Sequence, residues 1–178
     1  MKFDGLEYEV ITELYRTKGS YAQILTENIP DHRIVESRRK FYIVEREGIK
    51  YFVKQYVEKG YGGGDLDYPQ NIEYEFQTTR KLKGIVKTTD GEIDVPEVFA
   101  RNDDSILFEF LHNYDKATLS QITRVAILVR EWVKEKRIDN WDMCPNNVMV
   151  RKGAGFSLMA IDFEFSHDRH PMEDYNLK

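Results

Sequence analysis

Aromatic and β-branched residues gather in two short runs, residues 40–45 (KFYIVE) and 50–57 (KYFVKQYV), with Glu47-Gly48 between them. Such runs around a turn dipeptide predict a β-hairpin. Alternation along the second run puts Tyr51, Val53, Gln55 and Val57 on one face and Phe52, Lys54 and Tyr56 on the other. The period then changes to that of a helix. Asn71 can cap a segment running to about Lys83, in which Ile72, Glu75, Thr79 and Leu82 form one stripe. Residues 95–100 (VPEVFA) and 105–111 (SILFEFL) read as strands. Thr118 opens a second helix, with Gln121 three residues on as a capping box. Its buried stripe is Ile122, Val125, Val129, Trp132 and Val133, and its outer face is charged. Residues 147–151 (NVMVR) and 156–161 (FSLMAI) flank Gly153-Ala154-Gly155, a second predicted hairpin. At the start, Leu6, Val10, Leu14 and Ile11 have helical spacing within 1–25, and a second reading begins a strand at 21–25. Residues 26–38, the Gly-rich 59–70, 84–94 and 112–116 read as connections. The fold class is therefore α+β.

Composition narrows this little but usefully. The chain has 178 residues, 41% hydrophobic, enough for one domain or two small lobes with a real core. A net charge of −5 argues against a nucleic-acid partner. One cysteine, Cys144, excludes an intrachain disulfide framework and a cysteine-based zinc site, and fits a reducing, cytoplasmic setting. The acidic start MKFDGLEYEV is unlike a signal peptide. The apolar runs fall far short of the roughly 20 residues of a membrane span, which leaves peripheral membrane contact open.

The candidate chemistry lies mostly near the end. The last predicted hairpin brings Asn147 toward Asp162, 15 positions later. Oxygen ligands at adjacent strand ends can share a hard cation such as Mg²⁺. Asp142, in the loop before, is placed to take a proton from a hydroxyl. Taken alone, Lys54 reads as a solvent-facing lysine of an edge strand, and Glu75 as a boundary residue of a helix surface. Glu73 is the second choice to Glu75.

Taken in order, these elements resemble the protein-kinase-like fold. A strand lysine (Lys54) precedes a helix glutamate (Glu75). A strand ends in Glu109-Phe110-Leu111, like the hinge that meets adenine. A long helix leads to Asp142, with Asn147 five residues on, the D-x-x-x-x-N spacing. Asp162-Phe163-Glu164 stands where kinases carry D-F-G. The loop NWDMCPNN is similar to the H-G-D-L-H-P-G-N of aminoglycoside phosphotransferases and lipopolysaccharide-core kinases. The nearest overall resemblance is to the small bacterial kinase-like proteins of the PhoP regulatory network, through the Gly-rich loop, the short C-lobe and the stretch 136–140 (KRIDN).

The resemblance implies a minimal two-lobe kinase fold. An N-lobe of antiparallel sheet plus one helix would span 1–111, and a truncated C-lobe 112–178. It implies ATP and Mg²⁺ as cofactors. Lys54 would hold phosphates and Glu75 would fix Lys54. Glu109 and Leu111 would meet the adenine, Asp142 would serve the acceptor hydroxyl, and Asn147 and Asp162 would hold the metal. Residues 21–45 contain no glycine, so no G-x-G-x-x-G lies between the first two strands. No activation loop or peptide platform follows Glu164, so the acceptor expected is a small molecule or sugar. A non-catalytic kinase-like (pseudokinase) module and a small protein kinase are the alternatives.

Overall fold

A computed structural model of the chain describes residues 1–14, 39–56, 68–88, 91–116, 118, 121–137, 147–151 and 157–161. These residues form a mixed α+β arrangement of three sheets and two helices.

The first large sheet is built around a hairpin of β4 (Arg39–Arg46) and β5 (Ile49–Tyr56). Glu47 and Gly48 join them with φ of 55° and 76°. Two consecutive positive φ values define the type I′ turn, whose twist matches that of its strands. β3 (Glu9–Leu14) flanks β4, while β9 (Ser105–Glu109) and β8 (Val98–Arg101) continue the sheet beyond β5. The order β3-β4-β5-β9-β8 is antiparallel throughout. The hairpin of β1 (Lys2–Phe3) and β2 (Leu6–Glu7) forms its own small sheet through the Asp4-Gly5 turn.

The second large sheet has the order β10-β11-β12-β7-β6. Its centre is the antiparallel pair β11 (Val148–Arg151) and β12 (Ser157–Ala160). β10 (Tyr114–Lys116) lies beside β11. β7 (Glu92–Asp94) runs parallel to β12, with β6 (Val86–Lys87) outside it. This sheet therefore draws strands from both sides of residue 112.

Two helices complete the structure. α1 (Tyr68–Leu82) buries Ile72 and Phe76 with Phe41, Phe52 and Phe108 of the first sheet. Its last residue, Leu82, joins a different cluster with Ile93, Val95 and Trp132. α2 (Ile122–Lys136) buries Val125, Leu128, Val129 and Trp132 against Val148, Val150, Leu158 and Ala160. Each such aliphatic or aromatic side chain, fully buried, contributes roughly 1.5–3 kcal/mol. α2 ends at Arg137, whose left-handed backbone (φ 52°) lets its N–H reach the Val133 carbonyl. Among the described residues no helix is long and apolar enough to cross a membrane.

Several local expectations give way. Residues 1–14 form strands, not a helix. The side chains with helical spacing, Leu6, Val10 and Ile11, are exposed, while Phe3 and Tyr8 are buried. The expected loop 84–94 contains the β6–β7 hairpin, closed by the Thr88 N–H on the Gly91 carbonyl at 2.8 Å. The expected connector 112–116 supplies β10, held by the edge of β11. The second strand reading, 21–25, lies outside the described residues.

Candidate functional site

Lys54 lies on β5, which is interior to its sheet rather than at an edge, between β4 and β9. Its register partners are Phe41 on β4 and Ile106 on β9. These side chains share its face and are fully buried. The lysine is itself 1% exposed, which overturns the solvent-facing reading. A buried ammonium needs a counter-charge and hydrogen-bond acceptors. α1 supplies one. Glu75, 2% exposed, accepts a hydrogen bond from Lys54 Nζ on Oε2 at 2.7 Å.

The helix period explains why Glu75 is the partner. It belongs to the inward stripe with Ile72, Thr79 and Leu82, all four of which are buried. Glu73 belongs to another face and pairs with Arg101 on β8. Thr79 Oγ1 donates to the Glu75 backbone carbonyl at 2.8 Å, which gives a buried hydroxyl its acceptor one turn away.

A third member, Tyr56, was missed in the sequence reading of the site. Its hydroxyl donates to the same Glu75 Oε2, and Lys54 Nζ stands 5.2 Å from its ring centroid. The signal was present: Tyr56 is two residues beyond Lys54 on the same strand face. The carboxylate thus receives an ammonium and a phenol on one oxygen. Both are charge-assisted bonds, about twice as strong as neutral ones. Phe52, two residues before Lys54, stacks on Phe41 with centroids 5.7 Å apart and tilts against Phe108 at 6.3 Å. The ion pair therefore sits at one end of an aromatic layer.

The last hairpin has the predicted antiparallel pairing. Val148 faces Ala160 and Met149 faces Met159. One step further, the Ile161 N–H donates to the Asn147 carbonyl at 3.0 Å. Asn147, 4% exposed, is therefore opposite the residue that precedes Asp162 in sequence. Met149 and Ile161 belong to the same cluster as Phe41, Phe52 and Phe108, so the mouth of this hairpin packs beneath the sheet that carries Lys54.

Glu109 and Leu111 lie where β9 leaves the first sheet. The Glu109 N–H donates to the Glu97 carbonyl at 2.9 Å, and its Oε2 accepts from the Glu97 N–H at 3.0 Å. Leu111 is 1% exposed, and the neighbouring Phe110 carbonyl accepts the His112 N–H. Asp142, Asp162 and Cys144 lie outside the described residues. Among the described residues, no three His, Cys, Asp or Glu side chains form a group able to hold a metal. The oxygen donors of Asn147 and Asp162 are of the hard type that Mg²⁺ takes.

Lys54, Glu75 and Tyr56 thus form one connected polar group, and Asn147 enters the same core from the second sheet. No protein-family model matches the chain, and no curated protein matches it.

Proposed function

We propose that the chain is an ATP- and Mg²⁺-dependent phosphotransferase of protein-kinase-like fold, acting on a hydroxyl of a small molecule or sugar. The observation that carries this reading is the buried 2.7 Å Lys54–Glu75 ion pair, a strand lysine fixed by a helix glutamate 21 residues on. Its support is the pairing of Asn147 with Ile161, which sets Asn147 beside the run leading to Asp162. In this reading Lys54 contacts the phosphates. Its ammonium carries three N–H donors, so contact with Glu75 is compatible with that role. Asp142 accepts the proton of the acceptor hydroxyl as its oxygen takes the γ-phosphoryl group and ADP leaves. Asn147 and Asp162 hold Mg²⁺, which when bound supplies positive charge against the phosphoryl oxygens. Glu109 and Leu111 meet the adenine. A cytoplasmic setting belongs to the same reading on cysteine usage alone.

The burial of Lys54 favours a second reading, a non-catalytic kinase-like module. An aromatic layer of Phe41, Phe52 and Phe108 covers the face on which Lys54 lies. One experiment separates the two. ADP release is measured with ATP, Mg²⁺ and a panel of sugar and lipid acceptors, for wild type, Asp142→Ala and Asp162→Asn. Turnover with an acceptor that falls at least 100-fold in both variants supports the enzyme. Equal background hydrolysis in all three proteins, with no acceptor found, removes it. A Mg²⁺-dependent rise in Tm with ATP, lost in Asp162→Asn, would then leave a nucleotide-binding module.

A further inference from the structure

Where β9 runs into β10, residues 109–114 bridge a pocket of about 320 Å³. Cavities of about 300–1,000 Å³ hold small ligands. Neither Lys54, Glu75 nor Asn147 lines it, and neither do the aromatic rings beside Lys54. Its floor is one end of the second sheet.

The register of that floor sets up a row of side chains. Tyr114 pairs with Arg151, and Ser157 pairs with Glu92. The Val150–Leu158 pairing, carried one step on, sets Arg151 opposite Ser157. Side chains alternate along a strand, and Val148, Val150 and Leu158 point toward α2. Arg151 and Ser157 therefore point the other way, into the pocket, as do Tyr114 and Glu92 from their strands. Four neighbouring strands thus present a phenol, a guanidinium, a hydroxyl and a carboxylate in line.

In the middle of this row Ser157 is buried, and Arg151 beside it is exposed. Ser157 is 9% exposed, and its hydroxyl has no hydrogen-bond partner among the described residues. Arg151 and Glu92 likewise have no ion-pair partner among the described residues, although one strand alone separates them. The other carboxylates on the wall are used. Asp94 accepts from the Gly84 and Val95 N–H groups and pairs with Lys83, and Glu109 accepts from Glu97. The pocket thus offers one cation and one anion toward a ligand, with a hydroxyl between.

We infer that this pocket binds a small zwitterion, its carboxylate on Arg151 and its ammonium on Glu92. A guanidinium meets a carboxylate through paired N–H donors. Strands about 4.8 Å apart put the two residues about 10 Å apart across the row. That spacing fits an ω-amino acid better than an α-amino acid. Leu111 and Met159 supply apolar wall for the methylene chain. Glu109 and Leu111, which the phosphotransferase reading gives to the adenine, also line this pocket, so ATP and the zwitterion would compete for it.

The test uses the full chain with γ-aminobutyrate, n-butyrate and n-butylamine in a thermal-shift titration. γ-Aminobutyrate is expected to raise Tm saturably, by about 4 °C at ten times its Kd. The two singly charged probes should bind at least tenfold more weakly. Arg151→Gln and Glu92→Gln should each weaken γ-aminobutyrate at least tenfold. Arg151 is exposed and Glu92 half-buried, so the unliganded Tm of each variant should stay within about 2 °C of wild type. Absence of saturable binding, binding unchanged in both variants, or equal binding of butyrate overturns the inference. Failure of the phosphotransferase assay leaves the zwitterion result unaffected.

Discussion

The Lys54–Glu75 pair makes a quantitative prediction that depends only on its geometry and burial. The two side chains are 1% and 2% exposed and 2.7 Å apart. At an effective dielectric constant of about 20, unit charges at that distance attract by about 6 kcal/mol. Desolvation of both ions offsets most of this, so the intact pair is worth little compared with an apolar pair of the same volume. Removing one partner differs, because the desolvation cost of the other persists. Glu75→Gln keeps the shape of the side chain and its capacity to accept from Tyr56 but deprives the buried ammonium of its carboxylate. It should cost about 3–5 kcal/mol. Lys54→Met should cost a similar amount, about 3 kcal/mol, because the carboxylate then keeps a phenol but loses its cation. The double variant restores neutrality and should lose no more than about 2 kcal/mol, giving a coupling energy of at least about 3 kcal/mol. Urea unfolding monitored by circular dichroism measures this through shifts in midpoint at constant m. The single variants should also melt roughly 10 °C lower. Single costs below about 1 kcal/mol, or additive costs in the double variant, would refute the picture of a desolvated, mutually dependent pair.

Two further outcomes follow from neighbouring features. Tyr56→Phe removes one of the two donors on Glu75 Oε2 and should cost about 1.5–3 kcal/mol by urea unfolding. A cost below about 0.5 kcal/mol would mean that the phenol adds nothing to the pair. Gly48→Val puts a β-branched residue at φ 76° in the β4–β5 turn and should cost about 1–2 kcal/mol. No atom lies within 4 Å of an added Cβ at Gly48, so Gly48→Asn, which tolerates the left-handed region, should recover most of that loss.

What the sequence made legible follows where burial is one-sided. In β5 the alternation of Phe52, Lys54 and Tyr56 against Tyr51, Val53 and Gln55 survives because each face meets a different cluster. In α1 the stripe through Ile72, Glu75, Thr79 and Leu82 survives because that one face is buried. Its charged member marked the site. The last hairpin was legible from its two apolar runs, and its register brings Asn147 opposite Ile161. The N-terminus was not legible by the same rule. Its helix-spaced residues Leu6, Val10 and Ile11 are exposed, so their period carried no information about a core. The better signal was Asp4-Gly5, a hairpin-turn dipeptide, with φ of 48° and 80°. β10 could not be read from its polar segment, because its strand form comes from pairing with β11. The pocket row was hidden for a related reason. Tyr114, Arg151, Ser157 and Glu92 align only through strand order, which no local pattern encodes. The catalytic expectations on Asp142 and Asp162 fall outside the described residues.

The position of Glu75 is fixed from two sides, and this links the ion pair to both cores. Ile72 and Phe76, on either side of Glu75 along α1, pack with the rings of the first sheet. Leu82, two turns further on, packs with Trp132 and Ile93 in the second cluster. Beyond the end of the helix, Lys83 donates to the Val95 carbonyl and pairs with Asp94 of β7. A helix rises about 1.5 Å per residue, so a slip of α1 by even one residue would move Glu75 beyond hydrogen-bond reach of Lys54. The helix cannot slip without unpacking Leu82 from the second cluster or Phe76 from the first. The ion pair is therefore held less by its own attraction, which desolvation nearly cancels, than by two apolar cores clamping one rigid rod at both ends. The hydrophobic pattern of α1 positions the charge, and the charge in turn penalises any other register of α1 against β5.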